Sequence, residues 1–153
     1  MLRGYENMKI LFVCTGNTCR SPMAEAIFNH LSLQSGKEHF SSSAGVSVFM
    51  PQPLSKKSSV ALNKIGINDF HHISHSLDSL DIENCDLVLT MTSSHKFAVK
   101  NAFPKHKNKV YTLKEKAYGL DSDIADPYGM EQDVYDSCAQ EIKNAIERLL
   151  CSL

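Results

Sequence analysis

The stretch ILFVCTGNTCRSP, residues 10–22, decides the fold that this sequence predicts. Its first four residues form a continuous apolar run, which is typical of a β-strand covered on both faces, as in a parallel sheet. A short loop follows, and Pro22 suits the first position of a helix in which apolar residues recur at helical spacing. Residues 9–34 are therefore predicted to form a strand, a loop and a helix.

Strands and helices continue to alternate along the chain. Further strands are predicted at residues 40–44, 86–91 and 110–113, and further helices at residues 54–65, after Ser93 and at residues 131–150. This alternation indicates an α/β fold: a single domain with a central four-stranded parallel sheet, flanked by helices on both faces and joined by right-handed crossovers. Ligands bind beyond the carboxyl ends of such strands, and the loop at residues 14–20 lies at one of them.

Length and composition exclude several classes of protein. The chain has 153 residues, and its 16 lysines and arginines against 17 aspartates and glutamates provide no charge that would draw it to nucleic acid or an anionic membrane. No apolar run reaches the roughly 20 residues that span a bilayer, and the first residues lack a signal-peptide pattern, so we expect a cytoplasmic protein. We expect the domain at residues 8–153, after a short disordered extension or a mis-assigned start at residues 1–7.

The loop after the first strand has the composition of a phosphate-binding loop. If it wraps into a ring, its backbone N–H groups and the N-terminus of the following helix converge and favour a tetrahedral dianion. Gly16 and Asn17 readily take the left-handed or turn conformations of a tight ring, and Arg20 can hold two phosphoryl oxygens with its guanidinium. The expected phosphate-binding residues are Thr15, Gly16, Asn17, Thr18, Cys19, Arg20 and Ser21.

Cys14 enters the same loop as a candidate nucleophile. The helix dipole, the converging N–H groups and Arg20 all favour the thiolate, and thiols in such sites have pKa values of about 3.5–7.5 instead of 8.5. The Ser21 hydroxyl is close enough in sequence to form a hydrogen bond with the sulfur. A thiolate can attack phosphorus without a metal or a cofactor, so we expect neither. The alternative interpretation is a buried cysteine that ends a strand.

The displaced group needs an acid, which should lie in a loop that reaches over the phosphate site. Asp126, which Pro127 follows, is the best candidate for this general acid. Asp121 and Asp123 are close in sequence, and spacing alone does not choose among the three. An ordinary solvated acidic loop is the alternative interpretation.

Two aromatic residues are candidates for the walls of the substrate site. Tyr128 follows the acid loop and offers a flat surface for a planar substrate group. Phe49, with Met50 beside it, is a candidate for the opposite wall, and an ordinary packed loop is an equally good interpretation there.

Three segments together resemble the low-molecular-weight protein-tyrosine phosphatases: residues 13–22, Ser43-Ala44-Gly45 and Asp126-Pro127-Tyr128. Their order and spacing hold over nearly the whole chain. The resemblance implies a hydrolase that acts on phosphorylated proteins through a phosphocysteine intermediate. The roles that it implies are Cys14 as nucleophile, Arg20 as phosphate clamp, Ser21 as thiolate stabiliser, and Asp126 as general acid and then general base.

The resemblance also implies a structural support for the loop. Asn17 would hold the shape of the loop through a set of hydrogen bonds that includes Ser43 and His75. Without the family, His71 and His75 could be interpreted as a metal-binding pair, but two imidazoles with no third ligand are weak support for a metal site.

Thr18 bears on the choice between two branches of this family. Most of the tyrosine phosphatases carry a bulky aliphatic residue at this position, usually isoleucine, whereas a threonine resembles the bacterial protein-arginine phosphatases. A small polar side chain leaves room and a hydroxyl partner for a planar guanidinium. The resemblance therefore implies phosphoarginine as the substrate, with phosphotyrosine as the alternative.

Cys19 lies inside the same ring as Cys14. In this family such a neighbour can trap the oxidised nucleophile as a disulfide, which protects it from irreversible oxidation. A small loop-filling residue is the alternative interpretation of Cys19.

Two further functions share this fold and loop. Arsenate reductases of this type relay a disulfide through two more cysteines near residue 91, where this chain has Thr92 and no cysteine between Cys85 and Cys138. A non-catalytic phosphate-binding module would keep the loop but lose residues that catalysis needs, and those residues are present here.

We expect the protein to be a monomer or a weak homodimer.

Overall fold

The computed structural model describes residues 7–153. The predicted extension at residues 1–7 lies, apart from Asn7, outside the described residues. The strands are β1 (Lys9–Cys14), β2 (Phe40–Gly45), β3 (Leu87–Thr90) and β4 (Val110–Thr112). The helices are α1 (Arg20–Gln34), α2 (Lys56–Lys64), α3 (Ser79–Glu83), α4 (Ser93–Ala102), α5 (Leu113–Tyr118) and α6 (Gln132–Cys151), with a 3₁₀ helix at Pro104–Lys109.

The four strands form one parallel sheet in the order β2-β1-β3-β4. At its carboxyl end, β1 pairs Cys14 with Gly45 of β2 and Val13 with Thr90 of β3. The chain passes from β1 to β2 on one side of β1, and then from β2 to β3 on the other side of β1. At such a reversal of strand order, a crevice opens beyond the carboxyl end of the strand, here beyond Cys14. The predicted single-domain α/β fold with a four-stranded parallel sheet is confirmed.

Alternate residues of β1 enter two separate apolar cores. Ile10 and Phe12 pack with buried residues of α1, α2, α5 and α6 on one face of the sheet. Leu11 and Val13 pack on the other face with Ile82 of α3 and Val99 of α4. Because both faces are covered, β1 has to be apolar at every position from residue 10 to residue 13, as the sequence is.

The structure corrects several predicted boundaries. Helix α1 begins at Arg20, so Pro22 is its third residue, where a missing N–H still breaks no intrahelical bond. Helices α3 and α5 and the 3₁₀ helix were not predicted, because five or six residues are too few to show a helical period. Thr112 ends β4 and caps α5 in a capping box with Glu115, so this strand is one residue shorter than predicted. Within residues 7–153, every helix is too short or too polar to cross a membrane.

Candidate active site

The loop between β1 and α1 is held open by hydrogen bonds to its carbonyl oxygens. Four of these oxygens bind groups outside the loop: Cys14 O with Val46 N (3.0 Å), Thr15 O with Ser47 N (3.0 Å), Asn17 O with His72 Nε2 (2.8 Å) and Thr18 O with Ser55 N (3.0 Å). Because C=O and N–H point in opposite directions in a trans peptide, outward carbonyls turn the N–H groups inward. Cys19, the N-cap of α1, gives that helix no side-chain cap, so the interior of the loop can hold an anion.

Asn17 is the structural centre of the loop. It is fully buried, and its backbone takes the left-handed conformation with φ of 56°, whereas Gly16 does not. Its Nδ2 donates to Ser21 Oγ (2.8 Å) and to Ser43 Oγ (3.0 Å), and its Oδ1 accepts from the backbone N–H of His75 (2.9 Å). The structure therefore brings together the predicted Asn17–Ser43–His75 set, with His75 taking part through its backbone alone.

Two histidines near the loop have roles that the sequence did not predict. The imidazole of His75 binds Asp81 Oδ2 at 2.8 Å, away from Asn17. The imidazole that supports the loop belongs to His72, which sequence analysis missed and whose Nε2 donates to the Asn17 carbonyl. Burial lowers the pKa of His72, so this ring is neutral at pH 7 and still supplies the N–H that the carbonyl requires.

The hydrogen-bonded set continues from Ser43 to a carboxyl group on α1. Ser43 Oγ donates to Glu25 Oε1 at 2.7 Å. Burial raises the pKa of Glu25, and the hydroxyl of Ser43 partly offsets this effect. Glu25, Ser43, Asn17 and Ser21 thus form a continuous chain of contacts that ends at Cys14.

Cys14 lies at the floor of the loop and is only 3% exposed. Its Sγ is 2.9 Å from Ser21 Oγ and 3.3 Å from the backbone N of Asn17. Burial raises the pKa of the Cys14 thiol, and Ser21, Arg20 and the Asn17 N–H offset this only in part. The sequence predicts a lowered pKa for Cys14, whereas in the structure it is raised. The sequence motif reveals the hydrogen-bond donors around the sulfur but not how completely the fold buries it.

Arg20 joins the loop to the predicted acid. Its guanidinium is buried, with Nη1 donating to the carbonyl of Ile124 (2.9 Å) and Nη2 lying 3.5 Å from Asp126 Oδ2. Asp126 is half-exposed, and its Oδ1 accepts from the backbone N–H of Tyr128 at 3.1 Å. Cys14, Arg20 and Asp126 are therefore brought to one site.

The two competing aspartates are engaged elsewhere. Asp121 forms an ion pair with Lys96 at 2.6 Å and accepts from the Ser93 hydroxyl at 3.0 Å. Asp123 accepts from the backbone N–H of Ser93 at 2.8 Å. Both carboxylates bind the N-terminal turn of α4, and of the three candidates only Asp126 lines the pocket above the loop.

A single open pocket contains most of the predicted site residues. Its lining consists of Cys14, Thr15, Gly16, Asn17, Thr18, Cys19, Arg20, Asp126 and Tyr128. Tyr128 and Thr18 are thus placed at its wall, as the sequence suggested. Phe49 is 96% exposed and Met50 is also exposed, and neither belongs to the lining. The interpretation of Phe49 as a wall of the pocket is not supported by this geometry.

Gly45 lets β2 approach the loop closely. A Cβ atom at this position would lie 2.5 Å from the carbonyl oxygen of Thr15 and 3.1 Å from Cβ of Asn17. A side chain would therefore push directly against the backbone of the phosphate-binding loop.

Comparison with known proteins places this geometry in one family. The model of the family described as low molecular weight phosphotyrosine protein phosphatase matches residues 9–153. The chain belongs to this family. It is a low-molecular-weight protein phosphatase, and therefore a hydrolase.

The relatives of this phosphatase include enzymes of both branches. A protein-arginine-phosphatase from Bacillus subtilis strain 168 is 38% identical over 144 residues, which cover 93% of this chain and 94% of the relative. The crystal structure of a low-molecular-weight protein tyrosine phosphatase from T. tengcongensis is 43% identical, with a TM-score of 0.90 and coverage of 96% and 100%. A mutant of the YwlE arginine phosphatase that carries a phosphorylated active-site serine is 38% identical, with a TM-score of 0.89 and coverage of 93% of each chain.

Three more contacts of the phosphatase loop were missed by sequence analysis. The imidazole of His95 in α4 lies 2.7 Å from Thr15 Oγ1, and burial, reinforced by Arg20, lowers the pKa of His95 to about 4. The sulfur of Cys19 lies 3.5 Å from Ser55 Oγ and 3.6 Å from the hydroxyl of Tyr135, and burial raises the pKa of that phenol to about 12. No local sequence signal identifies these partners, because they reach the loop from distant elements.

Proposed function

We propose that this phosphatase removes phosphoryl groups from phosphoarginine residues of proteins, through a phosphocysteine intermediate on Cys14. The observation that carries the proposal is the composition of one pocket, which Thr18 lines together with Cys14, Arg20 and Asp126. The resemblance to characterised protein-arginine-phosphatases over more than nine-tenths of the chain supports it.

Because burial raises the pKa of the Cys14 thiol, in the first step the thiol gives its proton to the bound phosphoryl group and its sulfur attacks phosphorus as a thiolate. An S–P bond forms, the bond to the guanidino nitrogen breaks, and Asp126 in its acid form donates a proton to that nitrogen. The inward N–H groups and the Arg20 guanidinium stabilise the equatorial oxygens as their negative charge is redistributed. The guanidinium is already fixed by Ile124, so little reorganisation is required.

In the second step, water attacks the phosphorus of the phosphocysteine. Asp126 accepts a proton from this water, the S–P bond breaks, and inorganic phosphate leaves. Cys14 departs as a thiolate, and the hydroxyl of Ser21 at 2.9 Å donates a hydrogen bond to it. Asn17 donates a hydrogen bond to Ser21 Oγ and so holds this hydroxyl against the leaving sulfur. No step requires a cofactor.

In this proposal, Thr18 and Tyr128 make the pocket prefer phosphoarginine over phosphotyrosine. Both line the pocket, and Tyr128 is largely exposed, so its ring can stack on a planar cation. The Thr18 hydroxyl can accept a hydrogen bond from a guanidino N–H, which a phosphotyrosine ring does not offer.

Thr18→Ile is expected to lower kcat/KM for phosphoarginine peptides by about 10- to 100-fold, because it replaces a hydrogen-bonding group by apolar bulk. The kcat/KM for matched phosphotyrosine peptides should stay equal or rise. Both values are measured on the same peptide sequence at neutral pH without added metal. Thr18→Ser, which keeps the hydroxyl, is the matched control and should retain the phosphoarginine preference.

A wild-type preference for phosphotyrosine would contradict the proposed specificity. The second candidate, a protein-tyrosine phosphatase, would then hold, and the relationship to the tyrosine phosphatase from T. tengcongensis favours it. Hydrolysis of neither peptide, with phosphate still bound, would instead indicate a non-catalytic binding module.

We also propose that Cys19 protects Cys14 from irreversible oxidation. Hydrogen peroxide oxidises the Cys14 thiolate to a sulfenic acid, the Cys19 thiol attacks the sulfenic sulfur, a disulfide forms and water leaves. In the reduced protein, Ser55 and Tyr135 hold the Cys19 sulfur. These weak contacts must break before the disulfide can form.

Cys19→Ser is expected to recover much less activity than the wild type when a thiol reductant follows treatment with peroxide. Without Cys19, the sulfenic acid has no neighbouring thiol and proceeds to the irreversible sulfinic form. Activity after reduction and the mass of the Cys14 peptide are measured. Cys151→Ser is the control, because Cys151 is exposed at the end of α6. Equal recovery of both variants would contradict a protective role.

The remaining proposals concern where the phosphatase works. All five cysteines, each within the described residues, are free thiols. We propose a reducing cytoplasm as its location, because the thiol chemistry depends on such surroundings. We further propose that it acts on phosphorylated proteins as a monomer or weak homodimer, without nucleic acid.

A further inference from the structure

His95 forms a polar contact with the phosphate-binding loop that the proposed mechanism does not use. It is the third residue of α4, it is only 7% exposed, and its Nε2 lies 2.7 Å from Thr15 Oγ1. The other ring nitrogen, Nδ1, is buried and has no hydrogen-bond partner among residues 7–153. Thr15 is exposed and lines the pocket. A buried imidazole is thus aimed at a hydroxyl on the wall of the substrate site.

The unpaired Nδ1 indicates which nitrogen carries the proton. Arg20 faces His95 from α1, and Asp123 and Asp126 face it from the loop before α6; burial and Arg20 outweigh the two carboxylates and keep the ring neutral. A neutral imidazole has one N–H, and a buried N–H without a partner is rarer than an acceptor without one. The proton is therefore favoured on Nε2, which then donates to Thr15 Oγ1.

This arrangement determines what Thr15 can do. Its oxygen already accepts a hydrogen bond from His95, so its own O–H points away from the imidazole. We propose that His95 is a positioning residue, which makes the Thr15 hydroxyl a hydrogen-bond donor to the phosphoryl group of the substrate. The proposal rests on the proposed phosphatase activity, because it requires the phosphoryl group in this pocket, but it does not depend on the preference for phosphoarginine.

The pair is tested by a double-mutant cycle with inorganic phosphate as the probe. Thr15→Val and His95→Phe should each raise the dissociation constant of phosphate, measured by calorimetry, by about tenfold, the loss expected for one hydrogen bond to a charged group. The double variant should lose no more than either single variant, because His95 acts only through Thr15. The KM should rise with the phosphate dissociation constant, while kcat changes less.

Conservative variants separate positioning from packing. His95→Gln should recover most of the affinity, because its amide N–H can donate to Thr15, and Thr15→Ser, which keeps the hydroxyl, should lose much less phosphate affinity than Thr15→Val. Asn101→Ala, on the exposed surface of α4, is the control for changes in the helix. If His95→Phe fails to fold, the Thr15→Val and His95→Gln variants still carry the test.

Three results would overturn the proposal: additive losses in the double variant, unchanged phosphate affinity in Thr15→Val, or a nitrogen NMR spectrum in which Nδ1 of His95 carries the proton. Failure of the proposed function has a different signature. In that case no phosphopeptide is hydrolysed by the wild type, although the phosphate affinities of the variants still follow the pattern above.

Discussion

Replacing Cys14 with serine should lower kcat by at least about 10⁴-fold and leave the affinity for inorganic phosphate close to that of the wild type. An alcohol is a much weaker nucleophile than a thiolate at neutral pH. When the serine hydroxyl does react, it forms a phosphoester. This ester is hydrolysed slowly in the second step, because an alkoxide leaves far less readily than a thiolate. Phosphate affinity depends on the loop N–H groups and Arg20, which this change does not remove.

The product of the slow reaction gives the prediction a second readout. A serine variant incubated with phosphopeptide should accumulate one phosphoryl group per chain, on residue 14, in the intact-protein mass. The phosphorylated active-site serine in a mutant of the YwlE arginine phosphatase is consistent with this trapping. Cys138→Ser is the matched control, because Cys138 is a buried cysteine of α6 outside the pocket lining. A Cys14→Ser protein that retained most of its activity would refute the covalent mechanism.

The sequence was sufficient to predict the part of the site that a single short segment forms. Residues 14–21 form a ring that is closed locally, so the residue types and the preceding strand already specify where Cys14 and Arg20 lie. The parallel four-stranded sheet follows from the alternation of strands and helices, because the intervening helices cover the faces of the sheet. Both predictions depend on local patterns that tertiary contacts reinforce.

The partners that reach the loop from elsewhere could not be predicted in the same way. His72 and His95 come from separate segments, and their contacts depend on how α4 and the segment before α3 pack against the sheet. His75 had the expected place but contributes its backbone N–H, which is independent of its side chain. Phe49 was expected at the pocket because it is aromatic and follows β2, yet its direction is set by the loop conformation.

The general acid shows the same limit within a single loop. Asp121, Asp123 and Asp126 are equivalent in residue type and lie within six positions. The structure distinguishes them by their partners: the first two bind Lys96 and Ser93 at α4, and Asp126 faces Arg20. Asp121 and Asp123 are bound at α4 and lie outside the lining of the pocket, so they are not placed to reach the leaving group, whereas Asp126 belongs to that lining.

Asp126→Asn is accordingly expected to lower kcat for phosphopeptides by about 10²- to 10⁴-fold, because the amide can neither protonate the leaving group nor accept a proton from water. Steady-state kinetics on phosphoarginine and phosphotyrosine peptides measure this loss. The loss in the first step should be smaller for an aryl phosphate with a strongly acidic leaving group, which departs without a proton. Pre-steady-state release of that leaving group separates the first step from the hydrolysis of the phosphocysteine.

Asp121→Asn and Asp123→Asn are the controls for this assignment. Both remove a carboxylate of the same segment and leave the pocket lining intact, so we expect each to retain kcat within about threefold of the wild type and to act mainly on the stability of α4. Asp126→Asn also removes the charge that faces Arg20, so its phosphate affinity should stay equal or rise, since an anion no longer competes with the carboxylate for the guanidinium. Impaired catalysis combined with undiminished phosphate binding is what distinguishes a lost proton donor from a damaged loop. A larger loss of kcat in Asp121→Asn or Asp123→Asn would transfer the acid role to that residue.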